Sequence, residues 1–466
     1  MIGLTLGEIA EITGGRLHGA NPDTAVTGPV EFDSRRVARG GLFLAFPGEH
    51  ADGHDFVGQA IASGAVAAIV TRPVNAPSIE VADGFTALAA LASAVARRLA
   101  GVTVVAVTGS SGKTSTKDLI AQLLERLGPT IAPPESFNNE LGHPYTVLLS
   151  TVDTRFLVLE TSARGIGHIR QLTDIAPPRI GVVLNVGSAH VGVFGSQAAI
   201  AQAKGELVEA LPAGGVAVLN ADEPLVAAMA SRTAARVVTF GESADAGVRA
   251  TDVRLDDLGR AAFRMYVGGE TARVALRVIG RHQVGNALAA AAVALECGMP
   301  LGDAAVALSD ATARSSRRME PRQRDGVLIL NDAYNANPES MRAALETLAW
   351  IGRDRPGRTW AVLGPMAELG DIATAEHETV GRLAAQLKVG RLVAVGEPAQ
   401  PIARGASAAG LDAVCVPDTE AAITLLREQV RPGDVVLVKA SRSASLERVA
   451  VALGDEMSSH VVQARP

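Results

Sequence analysis

Short, unbroken apolar runs alternate along this chain with longer stretches of helical spacing. VTVVAV at 102–107, RFLVLE at 155–160, RIGVVLNV at 179–186, VAVLN at 216–220 and VVTF at 237–240 carry almost no polar alternation. Such runs predict strands buried on both faces, and the helical stretches between several of them predict a parallel sheet with helices on either side. The rhythm restarts with VLILND at 327–332, TWAVLG at 359–364, RLVAVGE at 391–397, DAVCV at 412–416 and DVVLVKA at 434–440. That is the pattern of a second doubly wound, Rossmann-like unit. Between the two lies ARSSRRMEPRQRD at 313–325, charged and aperiodic, which reads as a linker.

An earlier unit precedes both. Thr5 and Glu8 have capping-box spacing and Gly14 and Gly15 supply a stop, so the N-terminus predicts a short helix. AIASGAVAAIVT at 60–71 predicts a helix followed by a buried strand. The expected fold is therefore α/β with three domains. A small α/β N-terminal domain covers 1–82, a central P-loop ATPase-like parallel-sheet domain 83–312 and a C-terminal Rossmann-like domain 313–466. No internal repeat stands out, and SSHVVQARP at 458–466 reads as a loose tail.

Composition narrows the function classes. A chain of 466 residues exceeds one ordinary core, and 48% hydrophobic with 20% charged residues suits packed domains. A net charge of -6 gives no general attraction for nucleic acid, so an anionic ligand needs a local site. Cys297 and Cys415 are too few for a disulfide framework and fit a reducing compartment. The start has no export-signal layout, and the most apolar stretches are too short to span a bilayer. A soluble, cytoplasmic monomer is expected.

The chemistry begins at 108–114. VTVVAV, TGSSGKT and STKDLIAQLLERLG read as strand, Gly-rich loop and helix. Gly109 and Gly112 allow backbone N–H groups to turn toward phosphate oxygens, and the helix N-terminus adds to that field. Lys113 supplies a mobile positive charge for the β- and γ-phosphates of ATP, and the Thr114 hydroxyl is placed for Mg²⁺. Val107 stands where the full G-x-x-x-x-G-K-[ST] pattern has Gly, which leaves a chance loop as the bland alternative. Glu160, ending RFLVLE, is a metal-holding acid if the loop binds nucleotide and a strand-end acid otherwise. The chain has no Asn-Lys pair for a GTPase and no L-S-G-G-Q segment for a transporter ATPase.

TGSSGKT, FNNELGHP at 137–144, Glu160, NVGSAHVGVFGS at 185–196, AKGE at 203–206 and GRHQVGNALAAAAVA at 280–294 resemble the central domain of the Mur ligases. DSRRVARGGLFLAFPGEHADGHDF at 33–56 resembles the uridine-binding first domain of two members. NDAYNANPESM at 331–341, VLGPMAELG at 362–370 and VKASR at 438–442 resemble the member whose partners are UDP-N-acetylmuramoyl-tripeptide and D-alanyl-D-alanine. The likeness runs over nearly all of 1–450. The member that adds a single diamino acid at the third position should show Asp-Asn-Pro-Arg, absent here. It remains the alternative within the family, folylpolyglutamate synthase ranks lower, and a non-catalytic nucleotide-dependent regulator is the rival of another class.

The resemblance implies phosphorylation of the tripeptide carboxylate by ATP, followed by attack of the dipeptide amine on the acyl phosphate. It assigns catalysis to Lys113, Lys204, His190 and Asn139. It assigns nucleotide binding to Thr108, Gly109, Ser110, Ser111, Gly112, Lys113, Thr114 and Ser115, with Asn286, Arg318, Asp332, Tyr334 and Asn335. Thr114, Glu160, His190 and Lys204 would hold two Mg²⁺ ions, Lys204 as a carbamate formed with CO₂. Asp33, Ser34, Arg35, Asn138, Ser162 and Arg164 would bind the acceptor nucleotide. Residue by residue, the bland readings are a surface helix lysine for Lys204, a structural histidine for His190 and a helix cap for Asn286. Of Asn138 and Asn139, one could merely stabilise a turn. The sequence departs from the usual pattern at ETSARG after Glu160, at Pro365 and at Ala440.

Overall fold

The structure is a computed structural model that describes residues 2–48, 51–99, 101–188 and 191–456. Its fold is α/β, built on three main sheets. In the first, Val30–Glu31, Leu42–Leu44, Ala67–Val70 and Ser78–Glu80 run parallel and Arg16–His18 joins antiparallel at the edge. The predicted N-terminal helix is Leu6–Thr13, with both capping-box bonds of Thr5 and Glu8 formed and Gly14 left-handed at φ 62°. Helix Gly84–Arg98 shares with this sheet a core that also takes in Val147 of helix Gly142–Leu148 and Leu157 and Leu159 of the next sheet.

Among the described residues the second sheet has nine strands. Thr103–Thr108 lies between Phe156–Glu160 and Ile180–Val183, all parallel. After Phe156–Glu160 the chain crosses to the other side of Thr103–Thr108, so the carboxyl ends of these strands open a crevice where ligands bind in such sheets. Helix Gln283–Glu296 packs on the phosphate-loop helix Lys113–Leu124. Its alanines 287, 289, 290, 291, 292 and 294 are fully buried, and their small side chains permit that close approach.

The third sheet has Val327–Asn331, Val435–Lys439, Thr359–Leu363, Arg391–Val395 and Ala413–Val416 in parallel. No helix among the described residues is long and apolar enough to cross a membrane. The tail predicted at 458–466 lies outside the described residues.

Two elements differ from expectation. Val248–Leu255, Arg260–Val267 and Glu270–Ile279 form an antiparallel extension of the central sheet. Their burial alternates along each strand, so unbroken apolar runs could not mark them. Within the predicted linker, Glu320–Arg324 is a strand antiparallel to Val327–Asn331. A strand near a sheet edge can be polar, since its ladder bonds and not its side chains fix it.

The first and second units also meet through a carboxylate. Glu31 is 5% exposed; its Oε1 accepts from the Tyr145 hydroxyl at 3.2 Å, and Oε2 is buried without a partner among the described residues. Burial raises the Glu31 pKa, and Arg36, 3.6 Å away, only partly offsets it. With its folded pKa above the unfolded value, Glu31 lowers stability as pH rises through the folded pKa. Glu31→Gln should therefore raise the melting temperature at pH 8. The gain should vanish below about pH 4, where the carboxyl is neutral in both states. An equal gain at both pH values would contradict this assignment.

Candidate active site

The crevice at the strand ends of the central sheet is closed over by the third unit into a cavity of about 1030 Å³. Phe32 reaches it from the first unit, the loops after Thr108 and Glu160 from the second, and Asp332–Asn337 and Lys439 from the third.

Its floor is the predicted phosphate loop. Gly112 caps helix Lys113–Leu124 at φ 81°, and a Cβ there would lie 2.6 Å from Asn286 Oδ1. Glycine is required on both counts. Asn185 pins the loop: its Oδ1 accepts from Ser111 N–H at 2.9 Å and its Nδ2 donates to Ser111 O at 3.2 Å. Lys113 Nζ donates to Gly109 O at 2.8 Å. Burial lowers the Lys113 pKa, Glu160 opposes that and the Arg318 cation adds to it.

Behind the loop sits Glu160, 1% exposed. Oε2 accepts from the Thr114 hydroxyl at 2.8 Å; Oε1 accepts from Asn138 Nδ2 at 2.6 Å and Ser136 Oγ at 3.1 Å. A buried carboxylate is costly unless its lone pairs are met, and here three donors meet them. The two adjacent asparagines divide their work. Asn138 belongs to this network, and its Oδ1 also accepts from the Ser162 hydroxyl at 3.0 Å. Asn139 Oδ1 accepts from Gly142 N–H at 3.0 Å, steadying the turn into the next helix.

Lys204 lies on helix Gln197–Glu209, 5% exposed and not on the cavity surface. It has no hydrogen-bond or ion-pair partner among the described residues, which removes its reading as a surface lysine paired with Glu. Burial pushes its pKa well below the ordinary lysine value, and the Lys113 charge pushes the same way. His190 lies outside the described residues, among which no cluster of three or more His, Cys, Asp or Glu could hold a metal.

Arg318 crosses between units. Its Nη2 donates to Thr114 Oγ1 at 2.7 Å, and the guanidinium stands 4.2 Å from the centroid of the Tyr334 ring. Asn286, Tyr334 and Asn335 line the cavity, as does Asp332, whose Oδ2 takes Lys439 Nζ at 2.6 Å. Thr108 and Gly109 lie beneath the surface of the cavity. Asp33, Ser34 and Arg35 do not line it: Arg35 pairs with Asp33 at 2.8 Å, and Ser34 Oγ donates to Gln59 Oε1 at 3.1 Å. Arg164 does line it, 3.4 Å from Glu368 of the third unit.

Of the residues that close the units together, sequence reasoning singled out Ser110, Thr114, Arg164 and Arg318 but not Ser188, Gly192, Asn337, Glu339 or Glu368. Glu339 Oε1 accepts from Ser188 N–H at 2.6 Å and Ser188 Oγ at 2.9 Å, and Asn337 Nδ2 donates to Ser110 O at 3.3 Å. Gly192 N–H donates to Glu368 O at 3.1 Å. The quoted NVGSAHVGVFGS, YNANPES and MAELG stretches contained the missed ones, but their meeting depends on how two sheets face each other.

Three family models cover this architecture. "Mur ligase family, catalytic domain" matches 29–107, "Mur ligase middle domain" 107–294 and "Mur ligase, glutamate ligase domain" 317–442. The chain belongs to the Mur ligase family. The UDP-N-acetylmuramoyl-tripeptide–D-alanyl-D-alanine ligase of Mycobacterium tuberculosis is 51% identical over 97% of this chain and 98% of its own. The namesake from Escherichia coli is 36% identical, over 97% and 99%. Among solved structures, MurF from Acinetobacter baumannii superposes with a TM-score of 0.86 at 32% identity, covering 97% of this chain and 98% of that one. MurF from Thermotoga maritima in complex with ADP gives 0.78 at 30%, over 92% and 97%. This Mur ligase thus shares with them its three-unit layout.

One contact between units has no slack. A Cβ on Gly192 would lie 2.4 Å from the Gly370 backbone nitrogen. Gly192→Ala should push the third unit away, enlarging the radius of gyration in solution scattering and cutting turnover while each sheet stays folded. Unchanged scattering and turnover would contradict a closed contact at this point.

Proposed function

We propose that this Mur ligase joins D-alanyl-D-alanine to UDP-N-acetylmuramoyl-tripeptide at the expense of ATP, giving ADP and phosphate in peptidoglycan precursor synthesis. The observation that carries this reading is the phosphate loop locked onto buried Glu160 and overhung by Arg318, in a chain similar from end to end to ligases of that name.

A carboxylate does not react with an amine near neutral pH, so phosphorylation must first convert it to an acyl phosphate, from which phosphate leaves when the amine attacks the carbonyl carbon. The loop amides and Lys113 would hold the ATP phosphates, and Arg318 would neutralise charge on the transferred group. Thr114 and Glu160 are hard oxygen donors, which suits Mg²⁺ completed by phosphate oxygens and water. The guanidinium at Thr114 supports the same conclusion, because this position already attracts a cation. When bound, Mg²⁺ supplies neutralisation of the β- and γ-phosphate oxygens. Asn138 and Ser162, beside Glu160, are positioned for the acceptor carboxylate, and Arg164 with Glu368 for the cleft mouth. Closure of the third unit would exclude water from the acyl phosphate. Asp33, Ser34 and Arg35 are assigned to the uridine diphosphate end, away from the chemistry. Dependence on cellular ATP fits a cytoplasmic enzyme.

Lys204 fits the carbamate assignment. A buried amine with a lowered pKa has a larger share of its neutral form, whose lone pair adds to CO₂ with loss of one proton, giving a carboxylate-like anion able to serve a second Mg²⁺ with His190. Lys204→Ala should lower turnover at least about a hundredfold and regain part of it with added formate or acetate. Under ¹³CO₂ the unaltered chain should show a carbamate carbon signal that the variant lacks. Full activity of Lys204→Ala would overturn the assignment.

Substrate choice is read from phosphate release. With ATP, Mg²⁺ and UDP-N-acetylmuramoyl-tripeptide, release should require D-alanyl-D-alanine and not occur with single amino acids. Release with a single amino acid alone would favour the neighbouring ligase. ATP binding without acceptor-dependent ADP formation would favour a regulator.

A further inference from the structure

The chain leaving the central sheet is gripped along one side of the phosphate-loop helix. Asp118, Gln122 and Glu125 lie four and three residues apart, so their side chains share a face. Gln122 Nε2 donates to Thr312 O at 2.9 Å, and its Oε1 accepts from Thr312 N–H at 3.1 Å. Asp118, 6% exposed, accepts from Ser315 N–H at 3.0 Å through Oδ2, while its Oδ1 takes Lys117 Nζ. Lys117 is itself fixed by a bond to Pro133 O at 2.8 Å. Arg314 pairs with Glu125 on the surface.

Immediately beyond, the chain is bound to the third unit. Arg317 N–H donates to Glu320 Oε2 at 2.8 Å, Arg317 O accepts from Tyr334 N–H at 3.2 Å, and Met319 N–H donates to Asp332 Oδ1 at 3.0 Å. Ser316 Oγ still donates to Glu135 Oε1 of the second unit at 3.1 Å, so the handover falls between Ser316 and Arg317. Arg317 and Met319 are both left-handed, at φ 57° and 51°. Non-glycine residues hold that conformation only where their surroundings over-determine it, and such strain gathers at functional sites.

We infer that Asp118 and Gln122 are positioning residues for Arg318. By fixing 312–315 to the phosphate-loop helix they set the pivot immediately ahead of Arg318. Arg318 is three residue steps beyond the Ser315 anchor, and at about 3.3–3.6 Å per step its Cα stays within roughly 11 Å of that anchor. The anchor thus limits how far Arg318 can move from the phosphate-loop helix when the third unit turns. The contacts of Glu339, Asn337 and Glu368 lie farther along the chain and are not tethered by this grip. The identity of the facing anion, an ATP phosphate, rests on the ligase reading.

The test is a double-mutant cycle on the full chain, with ATP affinity measured by calorimetry. Gln122→Leu and Arg318→Ala should each weaken ATP binding about five- to tenfold, and the double variant should be no weaker than Arg318→Ala alone. Multiplying losses, or an Arg318→Ala chain with unchanged affinity, would overturn the inference. Should Gln122→Leu not fold, Gln122→Glu keeps the length and sets a carboxylate against the Thr312 carbonyl, and carries the same cycle. Amide exchange at Thr312 reads the grip without nucleotide: slow in the unaltered chain and fast in the variant. Fast exchange in both would overturn it. Intact coupling in a chain without acceptor-dependent turnover would strike the functional reading and leave this one standing.

Discussion

The site depends on a carboxylate that is almost completely removed from water. Glu160 ends a central strand at 1% exposure, so its lone pairs must be met by the protein or by what the protein binds. Meeting them recruits the Thr114 hydroxyl from the phosphate loop and Asn138 and Ser136 from the loop before helix Gly142–Leu148. Thr114 then draws Arg318 from the interdomain segment. A single desolvated charge thereby ties together the nucleotide loop, the acceptor side of the crevice and the approach of the third unit.

Around that anion the structure collects cations at some cost. The cations are Lys113 and Arg318, and burial first, then the Arg318 charge, lowers the Lys113 pKa. An arrangement of that kind gains stability when anions enter it, and three anionic partners are what the proposed reaction brings. Preorganised positive charge in a cavity from which water is excluded is worth more than the same charge in solvent. The energy of folding is partly invested in a field that the reactants complete.

The fold was legible because parallel strands buried on both faces leave unbroken apolar runs, as at 155–160 and 434–440. The antiparallel extension at 248–279 escaped because one-sided burial alternates, and polar Glu320–Arg324 escaped because hydrogen bonding alone holds it. At the site, the loop and Glu160 were visible as a strand-loop-helix and a strand end. Asn185, Glu339 and the Gln122 grip were not. Each acts across 74, 151 or 190 residues of sequence, and nothing local marks such a partner. The roles of Asn138 and Asn139 were likewise separable only once their different partners were placed.

The central claim is that the crevice activates a carboxylate by phosphorylating it, and oxygen transfer tests this most directly. UDP-N-acetylmuramoyl-tripeptide labelled with ¹⁸O in its terminal carboxylate would be ligated, and the released phosphate analysed by mass. Attack of the carboxylate on the γ-phosphorus predicts one ¹⁸O in the phosphate for each amide bond formed from fully labelled acceptor. Amide formation with unlabelled phosphate would contradict the account.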